Sequence, residues 1–123
     1  MQPAKWLLRV GVCGTFVGHG LVALSVKTAW LPFLMFWGFH ASTSVILMKL
    51  IGCIDLIVAF TVLVKPIRAI LIWAAVWAFA TALMRPLTGL SLLAFFERTS
   101  NWAAPLALLW LYGFPRSLRD LLR

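Results

Sequence analysis

Long apolar runs dominate the pattern of hydrophobic and polar positions along the chain. Four runs, each interrupted by only a few polar residues, cover about 7–26, 43–64, 69–84 and 91–112. A helix needs ~20 mostly apolar residues to cross the ~30 Å hydrocarbon layer of a membrane. The pattern therefore predicts an all-α integral membrane protein, in which residues 1–123 form a single transmembrane domain built as a four-helix bundle.

The segments beside these runs carry signals that end or interrupt helices. Residues 27–42 combine many aromatic side chains with Pro32, which is typical of a segment at headgroup level and predicts an outer interfacial helix between spans 1 and 2. Pro105 and the polar residues 97–101 interrupt the fourth run. Because a helix that began only at Asn101 would be too short to cross, we predict one helix over 91–112, kinked at Pro105. Residues 114–123 form a basic amphipathic tail.

The first run has an alternative interpretation as a secretory signal, since Ala23 and Ser25 resemble a small-residue cleavage site. His19 and the glycines around it make a poor apolar signal core. The first run is therefore interpreted as a membrane span.

The composition supports a lipid environment and excludes a nucleic-acid partner. The 123 residues are 63% hydrophobic and 11% charged, whereas a soluble domain keeps about 25% of its residues charged. The net charge of +8 raises the question of nucleic acid, but the basic residues lie at the ends of apolar runs and not together on a solvated face. The lipid bilayer is the partner that this arrangement indicates.

The distribution of basic residues predicts the orientation. Seven of the eleven Lys and Arg residues fall at one set of span ends: Lys5, Arg9, Lys65, Arg68, Arg116, Arg119 and Arg123. The positive-inside rule places that side in the cytoplasm. We therefore predict a multi-pass protein of a bacterial-type inner (plasma) membrane with both termini cytoplasmic.

Small residues at helical spacing predict where helices pack. Gly14 and Gly18 form a G-x-x-x-G pair on the first span, and Ala74 and Ala78 form a similar pair on the third. These faces are expected to meet other helices, from this chain, from other membrane subunits or from a second copy. The alternative is a chance spacing in a chain rich in Gly and Ala.

Ionisable residues inside apolar runs are the candidates for chemistry. Each costs ~3 kcal/mol to insert, so His19, Asp55 and Glu97 are expected to face the bundle interior and to have partners. His19 and Asp55 lie at similar depth, which predicts a pair bonded directly or through one water. The pair would relay a proton or hold the oxygen of a quinone. The alternative is a polar clamp between two helices.

A second polar group is predicted on the outer side. Glu97 and Asn101 are spaced i, i+4 and share a helix face. With Arg85, Arg98 and Lys49 at similar depth, they predict a positively charged pocket for an anion or a polar headgroup. Alternatively, Arg85 and Arg98 only extend to the outer phosphates.

Further chemistry has little support in the sequence. Cys13 and Cys53 have no metal-binding spacing, and we expect no metal site. The sequence contains no Gly-rich phosphate loop and no Ser in a nucleophile context, so the catalytic residues, if the chain is an enzyme, stay unknown.

Short motifs on three of the predicted helices carry a family resemblance. The first helix begins with Arg9 and contains FVGHGL at 16–21, the second contains LIG at 50–52, and Glu97, Arg98 and Asn101 lie near the start of the fourth. In these features the chain resembles the DoxX-like family of small four-helix membrane proteins. Members often carry an acid just before the helix-two glycine motif, whereas this chain has Lys49, and its nearest acid is Asp55.

The resemblance implies a function beside quinone-linked redox chemistry. The family includes the small membrane subunit of thiosulfate:quinone oxidoreductase, so the expected role is an integral membrane subunit associated with a quinone-linked oxidoreductase complex. No cofactor would be bound by this chain alone, and a quinone is the candidate ligand. Two alternatives stay open: a structural or assembly subunit of a larger membrane complex, and an oligomeric small-anion transporter.

Overall fold

The computed structural model describes residues 2–123, which form helices and connecting turns without any β-strand in that range. The seven α-helices are α1 (Gln2–Leu24), α2 (Leu31–Met35), α3 (Ala41–Val64), α4 (Arg68–Leu87), α5 (Leu92–Phe96), α6 (Thr99–Tyr112) and α7 (Leu118–Leu121). A 3-10 turn, Thr28–Trp30, precedes α2. The prediction of an all-helical chain is confirmed.

Three of the helices are long and apolar enough to cross a membrane. The segments are Pro3–Leu24, Ala41–Val64 and Arg68–Leu87, with mean hydropathies of 1.6, 2.4 and 1.6. They cover most of the first three predicted runs. In addition, α1 begins before the first run, at Gln2, and α4 continues beyond the third run to Leu87. The prediction of membrane-length apolar helices is therefore confirmed for these three.

The fourth run differs from the continuous helix predicted over 91–112. A turn at Glu97 and Arg98 divides it into α5 and α6. Polar side chains support this break: Thr99 Oγ1 donates to the carbonyl of Phe96 at 2.7 Å, and Arg98 Nη1 donates to the carbonyl of Ala94 at 2.9 Å. These bonds satisfy carbonyl groups at the end of α5, where the chain turns. Its 14 residues give α6 a length of ~21 Å.

The long helices pack as two antiparallel pairs. α1 packs closely on α3, α4 packs on α6, and α1 and α6 join the pairs, whereas α3 and α4 touch only sparingly. α1 and α3 approach closely at Gly20 and Gly52, where a Cβ atom on Gly52 would lie 2.8 Å from the carbonyl oxygen of Gly20. The apolar core includes Val12, Phe16, Val58, Val62, Leu71 and Leu108.

In each helix pair, an arginine of the first helix donates hydrogen bonds to the C-terminal end of the second helix. Arg9 in α1 donates to the carbonyl oxygens of Val62, Leu63 and Val64 at the end of α3. Arg68 in α4 donates to the carbonyl oxygens of Tyr112 and Gly113 at 2.5 and 2.6 Å. The last carbonyls of a helix lack intrahelical partners, so these bonds satisfy them. We call this side of the molecule the Arg9 end and the opposite side the Trp30 end.

The connection between α1 and α3 lies at the Trp30 end. It consists of the 3-10 turn and α2, followed by a bend at Gly38, whose φ of 94° favours glycine. Trp37 is 64% exposed, and its ring meets that of Phe36 edge to face at 5.3 Å. Short helices and exposed aromatic rings therefore cover this end of the α1–α3 pair.

Candidate functional site

A cavity of about 410 Å³ lies between the α1–α3 pair and α4 near the Trp30 end. α1 and α3 form one wall, α4 forms the other, and the 3-10 turn, α2 and Trp37 cover the cavity. Its volume is within the ~300–1,000 Å³ range of small-molecule sites. The cavity exists because α3 and α4 barely contact each other while both pack on other helices.

Arg85 supplies the positive charge of this cavity. The residue is only 4% exposed, and its Nη1 donates to the carbonyl oxygen of Thr81 at 2.5 Å. The guanidinium also lies 4.8 Å from the ring centre of Phe33 and 5.9 Å from that of Trp30. A guanidinium has five N–H donors, and aromatic faces attract its charge without accepting all of them. Arg85 therefore keeps donor capacity for a ligand.

Asp55 supplies a buried carboxyl group. The residue is 4% exposed, and its buried Oδ1 has no hydrogen-bond partner among residues 2–123. Within this range the side-chain ion pairs join Glu97 to Arg98 and Asp120 to Arg123, so Asp55 is not neutralised by one. A buried polar atom without a partner costs ~1–3 kcal/mol. The carboxyl group is therefore ready to accept or share a proton with a bound molecule.

His19 is close to Asp55 in depth and also lines the cavity. Counted from the contact of Gly20 with Gly52, His19 lies one residue and Asp55 three residues toward the Arg9 end, a difference of ~3 Å along the helices. The His19 ring meets Trp30 edge to face at 5.7 Å. Oδ1 of Asp55 has no hydrogen-bond partner within residues 2–123, so this atom makes no direct bond to His19. The Trp30 ring contacts both the His19 ring and the guanidinium of Arg85.

Apolar and aromatic side chains form the rest of the lining. Phe16, Met48 and Ile51 lie on the α1 and α3 wall, and Trp77 and Met84 lie on the α4 wall. The Trp77 ring stacks on that of Trp73 at 5.5 Å, which holds it in place. A few polar groups in a mainly apolar cavity are typical of a site for a small organic ligand.

The other predicted polar residues do not line the cavity. Glu97 is 73% exposed and pairs with Arg98 at 3.7 Å on the turn between α5 and α6. Asn101 lies in the first turn of α6, and Lys49 is exposed on α3. The structure therefore brings together His19, Asp55 and Arg85, and it leaves Lys49, Glu97, Arg98 and Asn101 outside.

The predicted packing residues have different surroundings. Ala74 and Ala78 are buried, and Ala78 also lines the cavity. Gly14 and Gly18 are exposed, and a Cβ atom built on either would meet no neighbouring group of residues 2–123 within 4 Å. Within this chain the close glycine contact is made by Gly20 and Gly52 instead.

Several lining residues were missed by the sequence reasoning. Thr15 and Thr81 precede His19 and Arg85 by four residues each, so each threonine shares a helix face with a charged or titratable residue. That spacing was a signal that could have placed them in the site. Trp30 and Phe33 were assigned to an interfacial cap, and their ring contacts with Arg85 follow only from the folded chain.

Comparison with known proteins found no matching family model, curated protein or solved structure. The resemblance to the DoxX-like family therefore stays a prediction that rests on the residues that carry it. No cluster of three or more His, Cys, Asp or Glu side chains suited to a metal ion occurs in residues 2–123.

Proposed function

We propose that this chain is a DoxX-like integral membrane subunit associated with a quinone-linked oxidoreductase complex, and that its cavity holds the ring of a quinone. One observation carries the proposal: a mainly apolar cavity between membrane-length helices contains two buried ionisable side chains, Asp55 and Arg85, that do not pair with each other. Buried charges between such helices are costly and mark functional sites.

The lining residues match the chemistry of a quinone. A quinone is a flat apolar ring with an oxygen at each of two opposite edges, and its reduced form carries hydroxyl groups there. The N–H groups of Arg85 and His19 would donate to ring oxygens, and the carboxyl group of Asp55 would accept a hydroxyl proton. The unpartnered Oδ1 of Asp55 fits that task. A bound quinone supplies two-electron carrier chemistry, and the electrons would come from another subunit.

The aromatic cover would exclude water from the ring. Trp30 and Phe33 contact the guanidinium of Arg85, so they orient this donor and shield it from bulk solvent. Electrostatic interactions are stronger in such a low-dielectric space than in water. A neutral ring with polar edges is therefore a better occupant than a free anion, which would have to lose its hydration beside Asp55.

The membrane arrangement belongs to the same proposal. α6, extended by α5, would form the fourth crossing of a four-helix bundle, and α2 would lie at the outer interface. Arg9 and Arg68 at the Arg9 end, together with the basic residues of the tail, would face the cytoplasm of a bacterial-type cell. Polar turn residues at 97–98 are tolerated at membrane depth where they approach the interface.

Reporter fusions at each end of the chain test this arrangement. Four crossings place both ends on the cytoplasmic face, whereas three crossings place them on opposite faces. A reporter that is active only in the cytoplasm should therefore be active at both ends. Activity at one end alone would show that the α5–α6 segment does not cross.

Quinone binding to the purified chain tests the site. Trp30, Trp37 and Trp77 line the cavity, so a quinone bound there should quench tryptophan fluorescence. Arg85→Gln removes a charged donor, and the loss of ~1.5–3 kcal/mol for such a hydrogen bond corresponds to an affinity about 10–100-fold lower. His19→Ala should weaken binding as well.

Arg119→Gln is the matched control, because Arg119 is exposed on α7 and lies outside the cavity. It should leave the affinity within about twofold of wild type. Circular dichroism and gel filtration establish that each variant is folded. An Arg85→Gln variant that is folded and binds with unchanged affinity would refute the proposed site, as would an equal loss in Arg119→Gln.

The exposed glycine face of α1 supports a place in a larger complex. Gly11, Gly14 and Gly18 are exposed and have open space beside them, so another transmembrane helix can approach the backbone of α1 closely. The same observation favours the alternative of a structural or assembly subunit. Quinone binding separates the two, because a chain that binds quinone is more than a scaffold even when it copurifies with partners in mild detergent.

A further inference from the structure

The Arg9 end of the molecule carries a large excess of positive charge. Of the three acidic side chains of the protein, Asp55 lies in the cavity and Glu97 lies in the turn between α5 and α6, so only Asp120 lies at this end. Seven of the eleven basic side chains lie here: Lys5, Arg9, Lys65, Arg68, Arg116, Arg119 and Arg123. A partner for this surface is therefore expected to be anionic.

Four of the seven cations already have partners within the chain. Arg9 and Arg68 donate to carbonyl oxygens at helix ends. The ammonium group of Lys5 lies 4.7 Å from the centre of an aromatic ring, and Arg123 lies 3.9 Å from the carboxylate of Asp120. Three exposed cations have no ion-pair partner among residues 2–123: Lys65, Arg116 and Arg119.

Two of these three cations belong to the tail, residues 114–123, which has a defined conformation. Ser117 Oγ accepts a hydrogen bond from the backbone nitrogen of Asp120 at 3.3 Å. Oδ2 of Asp120 in turn accepts one from the backbone nitrogen of Arg116 at 3.0 Å. The helix that these bonds begin, α7, contacts α4. The tail is therefore held beside the helix ends and does not extend away from them.

The tail has an apolar edge and a basic edge. Leu118 and Leu122 lie one helical turn apart and are 83% and 69% exposed. Arg119 and Arg123 each follow one of these leucines, so the basic edge lies ~100° around the helix from the apolar edge. A segment with this division can place leucines among acyl chains and arginines among headgroups at the same time.

Two aromatic rings lie just before the tail. Trp110, in the last turn of α6, is 71% exposed, and its ring meets that of Phe114 edge to face at 5.2 Å. Exposed aromatic rings at the end of an apolar helix are typical of the boundary between acyl chains and headgroups. This boundary is the level at which the two edges of the tail would meet matching surroundings.

We propose that the tail binds anionic phospholipids at the membrane surface. The guanidinium groups of Arg116 and Arg119 donate to headgroup oxygens, while Leu118 and Leu122 lie among the acyl chains. A lipid satisfies both edges of the tail, whereas an acidic soluble protein would satisfy only the basic edge. The inference does not depend on the proposed quinone site, because the tail does not line the cavity.

Binding of lipids to the purified full chain tests the choice of headgroup. The chain in a non-ionic detergent is titrated with phosphatidylglycerol or with phosphatidylcholine of the same acyl chains, and native mass spectrometry measures the bound fraction. Arg116→Gln combined with Arg119→Gln removes two cations of the tail. Lys27→Gln combined with Lys49→Gln is the matched control, because both lysines are exposed and lie outside the tail.

The wild-type chain should bind the anionic lipid more tightly than the zwitterionic one. Each cation near a membrane surface contributes about fivefold, so the tail variant should bind phosphatidylglycerol about 30-fold more weakly. The control variant should stay within about twofold of wild type. Equal affinities of the wild-type chain for the two lipids, or an equal loss in both variants, would overturn the proposal.

Hydrogen exchange in bilayers tests whether the tail lies in the interface. The backbone amides of residues 114–123 should exchange more slowly in nanodiscs of phosphatidylglycerol than in nanodiscs of phosphatidylcholine. The difference should disappear in the tail variant, and also when Leu118→Ser and Leu122→Ser remove the apolar edge. Exchange that is the same in both kinds of nanodisc would overturn the proposal, and the exposed edges would then fit a protein partner instead.

Discussion

Gly52→Ala should destabilise the chain, because the position has no room for a methyl group. A Cβ atom there would lie 2.8 Å from the carbonyl oxygen of Gly20 and 3.0 Å from the backbone nitrogen of Leu24. Both atoms belong to the backbone of α1, so a change of side-chain rotamer cannot move them away. Relief requires that α1 and α3 separate by a few tenths of an ångström, which loosens this close contact between the two helices.

The magnitude follows from two opposing effects. Overpacking of a well-packed interior costs ~1–3 kcal/mol, and replacing Gly by Ala within a helix returns ~1 kcal/mol. The added methyl group would meet two backbone atoms of α1, which cannot move aside, so the overpacking cost should lie in the upper part of its range. After the gain in helix propensity is subtracted, the expected net loss in the free energy of unfolding is about 1–2 kcal/mol. Gly14→Ala is the matched control on α1. It has open space around the added methyl group, so it should gain up to ~1 kcal/mol from helix propensity alone.

Unfolding of the purified monomer by sodium dodecyl sulfate in mixed micelles, followed by tryptophan fluorescence, measures both variants. The two identical substitutions should differ by about 2–3 kcal/mol in the free energy of unfolding, with opposite signs relative to wild type. Equal changes in the two variants, or a stabilised Gly52→Ala, would refute the close approach of α1 and α3 at this level.

Three further predictions concern a helix end, a buried acid and a thiol. Arg9→Gln removes the donors to the last carbonyls of α3 and should lower the free energy of unfolding by ~2 kcal/mol; Arg9→Lys should recover only part, since a lysine has no planar fork. Asp55→Leu should raise the free energy of unfolding by ~1–3 kcal/mol, because a buried oxygen without a partner is replaced by apolar groups; a loss would show that Asp55 has a partner. A membrane-soluble maleimide should label the exposed Cys53 several times faster than the half-buried Cys13, and mass spectrometry of single-cysteine variants would expose the reverse order.

Much of the helical architecture was predictable because lipid imposes it on the sequence. A backbone that crosses hydrocarbon must satisfy its hydrogen bonds within the segment, so an apolar run of sufficient length is a helix whatever its neighbours are. Ala41–Val64, with the highest mean hydropathy of the three candidate spans, shows this most clearly. The polar turn at Lys65 and Pro66 also ends α3 where the sequence predicts.

The break between α5 and α6 needed the folded chain. The sequence placed a run of polar residues at 97–101 inside an apolar stretch, and this pattern alone is compatible with a kinked helix or with a turn. In the folded chain the turn is found at Glu97 and Arg98, and Arg98 and Thr99 donate to carbonyls of α5 there. Pro105 lies inside α6 without ending it: a proline removes one helical hydrogen bond, and the helix nevertheless continues to Tyr112.

Some residues of the site could also be predicted from the sequence, whereas others required the folded chain. That Asp55 and His19 face inward follows from the cost of a polar group in lipid, which the sequence alone reveals. Arg85 was instead grouped with Arg98 and Lys49, because depth along a helix says nothing about direction around it. Only the packing of α4 against the other helices turns Arg85 into the cavity and leaves Lys49 exposed.

The sequence by itself determined where the three long apolar helices form and that His19 and Asp55 lie at similar heights along them, since these depend on local hydropathy and a constant rise per residue. Tertiary structure decided which faces meet. Gly14 and Gly18 have the spacing of a packing motif, yet the backbones approach at Gly20 and Gly52, one glycine from each helix. The relative rotation of two helices depends on the shapes of all the side chains between them, and that information is spread over both segments.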